Sequence, residues 1–353
     1  MTTYRRPVAV LFLALVVVLS ALSPVASASV TSSGSSASSG SSASSGSSAS
    51  ASPGEERWGD KRLHDVSFLT AHNAFTNYED ARWSVVNQSE SIRGQLEGGV
   101  RGLMLDTHWY SKSTWLCAVS LGLDCYPSDV YLCHGDCKAF AGVTYALPRQ
   151  SFHGAMQTVV DFIRANPLEI VTVFLEDYTS ADQLGQSLAK VRGLNEVLFR
   201  PEEYQVRDRG WPKVADLVTD DKRLLIFGPG GREHLGVMNE KDWTVANFWS
   251  IGDLGDQLAC TSRYPDIPLD RQEPGFQRLF VMSHFRNVPT IGTAAADNGA
   301  KLRDRINDRC RPAAGRDPNF VSVDFHRNSD GSGHTPRSIV AELNTRVARM
   351  ARP

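Results

Sequence analysis

The chain has 353 residues, with 37 Lys and Arg against 39 Asp and Glu, so its formal net charge is −2. It has no long basic run, which argues against nucleic acid as a partner. The roughly 300 residues after the N-terminal low-complexity region are many for one compact domain but ordinary for an α/β barrel.

The N-terminus has the pattern of a secretory signal peptide. Arg5 and Arg6 precede the apolar run 8–22, and Ala26 and Ala28 form a small-residue cleavage pattern. The run is shorter than the roughly 20 apolar residues of a spanning helix. We therefore predict a signal peptide over residues 1–28 and a secreted, extracellular protein, with an uncleaved anchor as the alternative. Loss of the two arginines changes the net charge from −2 to −2 − 2 = −4.

Residues 29–54 are rich in Ser, Gly and Ala, and after Val30 they contain no large apolar side chain. Such a segment buries too little surface to offset the entropy cost of ordering it. We predict a disordered linker here, followed by one domain over residues 55–353.

Six cysteines occur after the predicted signal peptide, an even number in an oxidising compartment. Disulfides are therefore favoured over a zinc site, which would prefer C-x₂-C pairs with further ligands nearby. Six cysteines allow 15 pairings in principle. Proximity along the chain favours Cys117–Cys125, Cys133–Cys137 and Cys260–Cys310.

Short apolar runs rich in β-branched residues alternate with helical patterns along the domain. In the first long helical pattern, Met156, Val159, Val160 and Ile163 form an apolar stripe that ends before Pro167. Strands that are apolar throughout and separated by helices indicate a parallel sheet with a covered outer face. We predict an α/β fold, a (β/α)₈ TIM barrel that forms a single catalytic domain. The predicted strands are "VSFLTAH", "GVRGLMLD", "VYLCH", "EIVTVFLED", "RLLIFG", "NFWSIG", "RLFVMSHF" and "NFVSVDFH".

Polar side chains stand at the ends of these strands, where a barrel places its active site. The first four predicted strands end on His72 and Asn73, then Asp106, then His134, then Glu176, and the last two carry His284 and Asp324. Strand ends often carry polar residues, so structural roles such as helix caps or salt bridges remain alternatives.

Two histidines and several oxygen ligands suggest phosphodiester cleavage by general acid–base catalysis. One imidazole removes a proton from the attacking oxygen, and the other protonates the departing alkoxide. A phosphate also needs a positive partner as charge develops on its oxygens. Asn73, Asp106 and Glu176 could bind a hard divalent cation, and calcium is preferred over magnesium.

Four motifs occur in the order "LTAHNAF", "QLEGGVRGLMLDTHWY", "LCHGDC" and "NPLEIVTVFLEDY". In this order they resemble the X domain of phosphatidylinositol-specific phospholipase C, and most closely its secreted bacterial and plant-like branch. The similarity is densest from His72 to Tyr178 and continues more weakly through "KRLLIFG" to "NFVSVDFHRNSDG". It implies a phosphoric diester hydrolase that acts in lipid metabolism.

The resemblance also implies roles for individual residues. His72 matches the general base that acts on the inositol 2-hydroxyl, and His134 matches the general acid. Asn73, Asp106 and Glu176 match ligands of the calcium-dependent members, whereas Met104 stands where those members carry a further glutamate. A thioether is a poor calcium ligand, so metal affinity should be lower unless another side chain compensates. Asp324 is expected to orient His72.

Other functions remain open. A glycerophosphodiester- or sphingomyelin-type phosphodiesterase also pairs histidines with a metal, and a barrel without catalysis could bind lipid head groups or glycans. A glycosidase would need two carboxylates, which Asp106 and Glu176 could supply, but the histidines would then be idle. The expected substrate is a phosphoinositide or related phosphodiester, reached by transient contact with a membrane surface, and the expected state is a monomer.

Overall fold

The structure is a computed structural model that describes residues 57–80, 86–112, 126–134, 150–252 and 258–350. These residues lie in a compact unit that spans Ser50–Pro353. The predicted signal peptide and the whole of the predicted linker lie outside the described residues. The described part contains one β-sheet, with strands β1 (Phe68–Ala71), β2 (Gly102–Tyr110), β3 (Asp129–Leu132), β4 (Val171–Asp177), β5 (Leu224–Gly228), β6 (Met238–Asn239), β7 (Thr244–Ala246), β8 (Leu279–His284) and β9 (Phe320–Val323).

Eight of these strands are parallel and follow chain order around the sheet. Their order is β6-β5-β4-β2-β1-β9-β8-β7. Apart from β6 and β7, each parallel strand therefore pairs with the next parallel strand of the chain, and the last strand pairs with the first. The two edge strands, β6 and β7, are consecutive in the chain and are joined through a four-residue helix, with no ladder between them in the described residues. The predicted single-domain α/β barrel is confirmed, with its hydrogen-bonded sheet interrupted at this one place.

Two strand assignments from the sequence were wrong. The run "VYLCH" forms β3, but β3 pairs antiparallel with the extended end of β2 and is not a barrel strand. The run "NFWSIG" begins only where β7 has ended, and the two-residue β6 before it was missed. Strands this short carry too few residues for an alternating pattern to be visible. The number of parallel strands was right because one extra strand and one missed strand cancelled.

Helices cover the outer face of the sheet. The predicted apolar stripe lies on the helix Phe152–Ala165 and is buried against the strands, and Ser151 caps the start of that helix. The helices are α1 (Ile92–Glu97), α2 (Phe152–Ala165), α3 (Ala181–Leu188), α4 (Leu194–Val197), α5 (Val206–Arg209), α6 (Val214–Thr219), α7 (Glu240–Trp243), α8 (Ile291–Asp297), α9 (Ala300–Arg305), α10 (Arg311–Ala314) and α11 (Pro336–Met350). Within the described part of the chain, no helix is long and apolar enough to cross a membrane.

Alternate residues of each strand point into the barrel, because side chains of a strand alternate between its two faces. Phe174 stacks on Phe227 with ring centroids 5.3 Å apart, and Phe320 packs edge-on against Phe174 at 4.9 Å. Thr70 occupies the space beside Gly102, where an added Cβ would lie 2.2 Å from the threonine hydroxyl oxygen. The inner face is therefore packed at its base, and polar residues on the same face follow nearer the carboxyl ends of the strands.

The predicted Cys260–Cys310 disulfide is confirmed. It ties the segment after β7 to the turn of π-helix Ile306–Cys310 that follows α9. Cys133 is also disulfide-bonded. The predicted partner Cys137 and the predicted pair Cys117–Cys125 lie outside the described residues.

Candidate active site

His72 and Asp324 lie side by side at the carboxyl ends of β1 and β9. These strands pair in register up to Ala71 and Val323, and the backbone N–H of His72 donates to the Val323 carbonyl over 3.1 Å. The two side chains therefore emerge next to each other, and His72 Nδ1 lies 2.8 Å from Asp324 Oδ1. The predicted pairing of these two residues is found. Because Nδ1 is committed to the carboxylate, Nε2 is the nitrogen that remains for proton transfer.

Both strands change direction immediately after this pair. Asn73 and Phe325 adopt left-handed backbone conformations, with φ of 43° and 44°. Asparagine tolerates this region, whereas a bulky phenylalanine in it is strained. The Phe325 N–H donates to the Asn87 carbonyl over 2.7 Å, and the Asn298 amide donates to the Asp324 carbonyl over 2.7 Å. These bonds hold the strained turn that follows Asp324.

Asn87 completes the support of Asp324, and sequence reasoning missed it. Its amide nitrogen donates to Asp324 Oδ1 over 2.8 Å, and its amide oxygen accepts from the Thr76 hydroxyl over 2.6 Å. Gln88 beside it donates to the carbonyls of His72 and Val323, over 3.0 and 2.9 Å. These amides come from a segment without regular secondary structure, so no strand or helix pattern could have marked them.

His134 reaches the site on a strand that runs against the barrel direction. β3 pairs with the extension of β2 from Thr107 to Tyr110, and its end returns towards the rim, where Cys133 N–H donates to the Asp106 carbonyl over 3.2 Å. His134 is exposed, but the surrounding protein partly desolvates its ring. This desolvation and the nearby His72 lower the pKa of His134, while Glu176 and Asp324 oppose the shift.

Asp106 and Glu176 lie directly opposite each other on β2 and β4. Asp106 is buried, and this burial raises its pKa well above the ordinary 3.8, with the charge of Glu176 adding to the rise. Tyr178 donates its hydroxyl to Glu176 Oε1. A buried carboxylate that faces a second, exposed carboxylate favours either a proton on the buried group or a bound cation.

The oxygen donors fit a cation only in part. Asp106, Glu176 and the buried Asn73 supply two carboxylates and one amide, which suits a hard cation. Met104 supplies no oxygen, and its sulfur accepts a hydrogen bond from the Ser322 hydroxyl over 3.2 Å. Among the residues that the structure describes, no group of three or more His, Cys, Asp or Glu side chains is arranged to hold a metal.

Two further charged residues, Glu240 and Arg263, lie within electrostatic reach of Glu176 and Tyr178, and the sequence did not indicate them. Protein surrounds the half-buried Glu240, and this desolvation raises its pKa; Arg263 opposes the rise and Glu176 adds to it. Arg263 lies in the irregular segment after β7, and its N–H donates to the Ala246 carbonyl over 2.8 Å. The acidic Glu240 and the basic Arg263 therefore lie near the Asp106–Glu176 pair.

His284 does not belong to this group. It lies on the outer face of β8, where its Nε2 donates to the Asp297 carbonyl over 3.0 Å and its Nδ1 accepts from Arg305 over 3.2 Å. Burial lowers its pKa to about 3, and the charge of Arg305 adds to the shift. We therefore assign His284 a structural role.

Comparison with known proteins shows what this barrel is similar to. Over an alignment of 280 positions, which covers 77% of this chain and 60% of the relative, the chain is 29% identical to a PI-PLC X domain-containing protein of Arabidopsis thaliana. The chain thus spans about three fifths of the length of that relative. A PI-PLC X domain-containing protein of Arthroderma benhamiae is 24% identical over 78% of this chain and 85% of its own length. A further protein of that fungus, named an uncharacterized secreted protein, is 21% identical over 73% of this chain and 56% of its own length.

A solved structure shares the fold. Phosphatidylinositol-specific phospholipase C of Staphylococcus aureus matches with a TM-score of 0.50 over 80% of this chain and 94% of its own, at 11% sequence identity. The PI-PLC X 1 family pattern itself matches residues 58–335, which is most of the chain. The protein belongs to the PI-PLC X domain family.

Proposed function

We propose that the protein is a phosphodiesterase that cleaves phosphatidylinositol or a related inositol phosphodiester. The observation that carries the proposal is the His72–Asp324 pair at the carboxyl edge of the barrel, with His134 brought to the same edge by β3. Asp324 fixes the tautomer of His72 with the proton on Nδ1, which leaves Nε2 able to accept a proton. In this proposal Nε2 takes the proton of the inositol 2-hydroxyl, which attacks phosphorus.

His134 is the proposed general acid. Desolvation and the nearby His72 lower its pKa, and a lower pKa makes the protonated ring a stronger proton donor. Its exposed position at the mouth suits contact with a departing alkoxide that carries the bulky diacylglycerol. The reaction would release the alcohol and leave a cyclic inositol phosphate.

We propose calcium as the cation at this mouth, held by Asn73, Asp106 and Glu176. When bound, calcium would neutralise charge on the phosphate oxygens and on the two facing carboxylates. The raised pKa of Asp106 supports the assignment, because burial beside Glu176 leaves its negative charge uncompensated. Calorimetric titration of calcium into the wild type and into Asp106→Asn tests this assignment without relying on activity. We expect weaker binding in the variant, and equal binding would contradict the assignment.

The substrate class is tested by following the products with ³¹P NMR. Phosphatidylinositol, glycerophosphoinositol, glycerophosphocholine and sphingomyelin are each incubated with the protein, with calcium and with a chelator. We expect a cyclic inositol phosphate from the inositol substrates, formed faster with calcium. Glycerol phosphate or phosphocholine as the main product would instead support a glycerophosphodiester- or sphingomyelin-type enzyme. Binding to phosphatidylinositol vesicles without turnover would support a barrel that has lost catalysis.

We also propose that the protein is secreted. The signal-peptide pattern over residues 1–28, the Cys260–Cys310 disulfide and the name of the fungal relative support this. Mass spectrometry of the exported protein should find Ser29 at its N-terminus. Recovery of the full-length chain from the cells alone would contradict the proposal.

Transient contact with a membrane surface is the last part of the proposal. Tyr178, Phe248 and Val288 follow the carboxyl ends of β4, β7 and β8, and 58%, 44% and 64% of their surfaces are exposed. Because parallel strands end at one edge, these side chains share the rim with the candidate site. We expect the protein to be a monomer. The fraction of it that sediments with phosphatidylinositol vesicles should fall when Phe248 and Val288 are replaced by serine. Unchanged sedimentation of this variant would contradict the role of the rim.

A further inference from the structure

Phe285 lies flat against His72. The centroids of the two rings are 3.5 Å apart and their planes differ by 4°, so one face of the imidazole is covered by the benzene ring. Phe285 is the first residue after β8 and is 6% exposed. Stacking at this distance places the two faces in van der Waals contact.

The backbone on both sides of Phe285 is held in place. Its carbonyl accepts from the Ile251 N–H over 3.0 Å, and the following Arg286 forms two bonds to the Asp297 carboxylate over 2.6 and 2.9 Å. Trp249 packs beyond the Phe285 ring, with centroids 6.2 Å apart and planes 20° apart. The phenylalanine is therefore a fixed surface against which the imidazole rests.

Asp324 and Phe285 constrain different motions of the His72 ring. The bond to Asp324 Oδ1 and the Asn87 amide nitrogen, 3.3 Å away, both contact Nδ1, so they fix that atom but leave the ring able to rock about it. A flat aromatic surface restricts this rocking, because tilting the imidazole would lift it from one side of the stack. Together the two contacts determine where Nε2 points.

We propose that Phe285 is a positioning residue that holds the plane of the His72 imidazole, so that Nε2 meets the attacking hydroxyl in line. This inference rests on the proposed function, in which His72 is the base. Small misplacements of a catalytic group reduce turnover without weakening substrate binding to the same extent. The rival explanation is that Phe285 only fills space, which any apolar side chain of similar size could do.

The kinetic test compares Phe285→Leu with Phe285→Tyr. Leucine fills space without a flat face, whereas tyrosine keeps the aromatic ring. We expect kcat of Phe285→Leu to fall roughly 10- to 100-fold with KM unchanged, and kcat of Phe285→Tyr to stay near wild type. Phe162→Leu is the matched control, since Phe162 is buried to a similar extent on α2 and should retain wild-type kcat.

A second readout is independent of activity. At one fixed pH, the ring protons of His72 should show an upfield NMR shift in the wild type, because they lie in the shielding region of the Phe285 ring. The shift should persist in Phe285→Tyr and in Phe162→Leu, and it should disappear in Phe285→Leu. An unchanged His72 resonance in Phe285→Leu would overturn the inference.

The two ways of failing are separable. If His72→Ala is inactive while Phe285→Leu keeps wild-type kcat, the positioning role alone is overturned. Equal losses in Phe285→Leu and Phe285→Tyr would likewise overturn the positioning role, because tyrosine keeps the flat ring. If His72→Ala turns over phosphatidylinositol as fast as the wild type, the proposed function fails, and this inference fails with it.

Discussion

His72 Nδ1 and Asp324 Oδ1 lie 2.8 Å apart at the junction of β1 and β9. Asn87 donates to the same oxygen over 2.8 Å, so the carboxylate is held from two sides. This arrangement favours the tautomer with the proton on Nδ1, which leaves Nε2 as the unprotonated nitrogen.

Replacing Asp324 by asparagine should therefore abolish most of the activity without unfolding the protein. An amide can donate to His72 Nδ1 and stabilise the wrong tautomer, and a mismatch of this kind costs roughly 10²- to 10⁴-fold in kcat. Steady-state rates on phosphatidylinositol measure the effect. Asp304→Asn is the control, because Asp304 is exposed and pairs with Arg303. Asp324→Asn with the turnover of that control would contradict the role of the pair.

Replacing Asp106 by asparagine should make the calcium-free protein more stable. The fold raises the pKa of Asp106 above the ordinary 3.8, so the unfolded chain loses this proton first as the pH rises. The free energy of unfolding therefore falls as the pH rises above 3.8. At pH 7 we expect Asp106→Asn to be about 1–3 kcal/mol more stable than the wild type in a chelator. The difference should shrink as the pH falls towards 4.

Urea denaturation at several pH values measures this difference. Calcium should raise the free energy of unfolding of the wild type and leave that of Asp106→Asn nearly unchanged, since ligand binding stabilises only the chain that binds it. A variant that is less stable than the wild type at pH 7 in chelator would contradict the assigned electrostatics.

His284 should make the fold sensitive to acid. Its pKa is about 3 in the fold and 6.5 in the unfolded chain, so the unfolded chain takes up a proton first as the pH falls below 6.5. The free energy of unfolding is therefore highest above pH 6.5. It falls between pH 6.5 and pH 3, by at most about 1.4 kcal/mol per pH unit. His284→Gln should show a shallower loss of unfolding free energy between pH 7 and pH 5. The exposed His234→Gln should follow the wild type, and a His284→Gln curve parallel to it would be the contrary result.

The Cys260–Cys310 disulfide should contribute strongly to stability. The two cysteines are separated by 50 positions, and closing a loop of that length stabilises a fold by about 4 kcal/mol in the chain-entropy account. Denaturation of the double Cys→Ser variant, compared with the wild type without reductant, measures this contribution. A difference below about 1 kcal/mol would show that the bridge does not constrain the unfolded chain as this account requires.

Much of the barrel could be predicted because its strongest signals are local. Runs such as 171–175, which are buried throughout, are long enough to indicate strands of a covered sheet, and parallel strands bring their carboxyl ends to one edge. The neighbourhood of His72 with Asp324 follows from that rule once the barrel closes its first strand on its last. The direct pairing of Asp106 with Glu176 does not, because the sequence placed "VYLCH" between their strands. β6 has two residues and β7 has three, and neither is long enough to produce such a signal.

The remaining features depend on contacts between distant segments. The direction of β3 is set by its pairing with β2, so the route by which His134 reaches the rim was not visible in the sequence. Asn87 and Phe285 touch the His72–Asp324 pair from a loop and from the end of another strand. His284 looked similar to His72 in the sequence. On β8, however, it lies one residue away from an inward-facing position, so its side chain is on the outer face.

The most direct test of the account is the turnover of phosphatidylinositol by His72→Ala and His134→Ala. Both variants are compared with the wild type and with His234→Ala, which removes an exposed histidine outside the candidate site. We expect each of the first two variants to lose roughly 10²- to 10⁴-fold in kcat, with His234→Ala at the wild-type rate and a cyclic inositol phosphate as the wild-type product. Wild-type rates in both His72→Ala and His134→Ala would contradict the account.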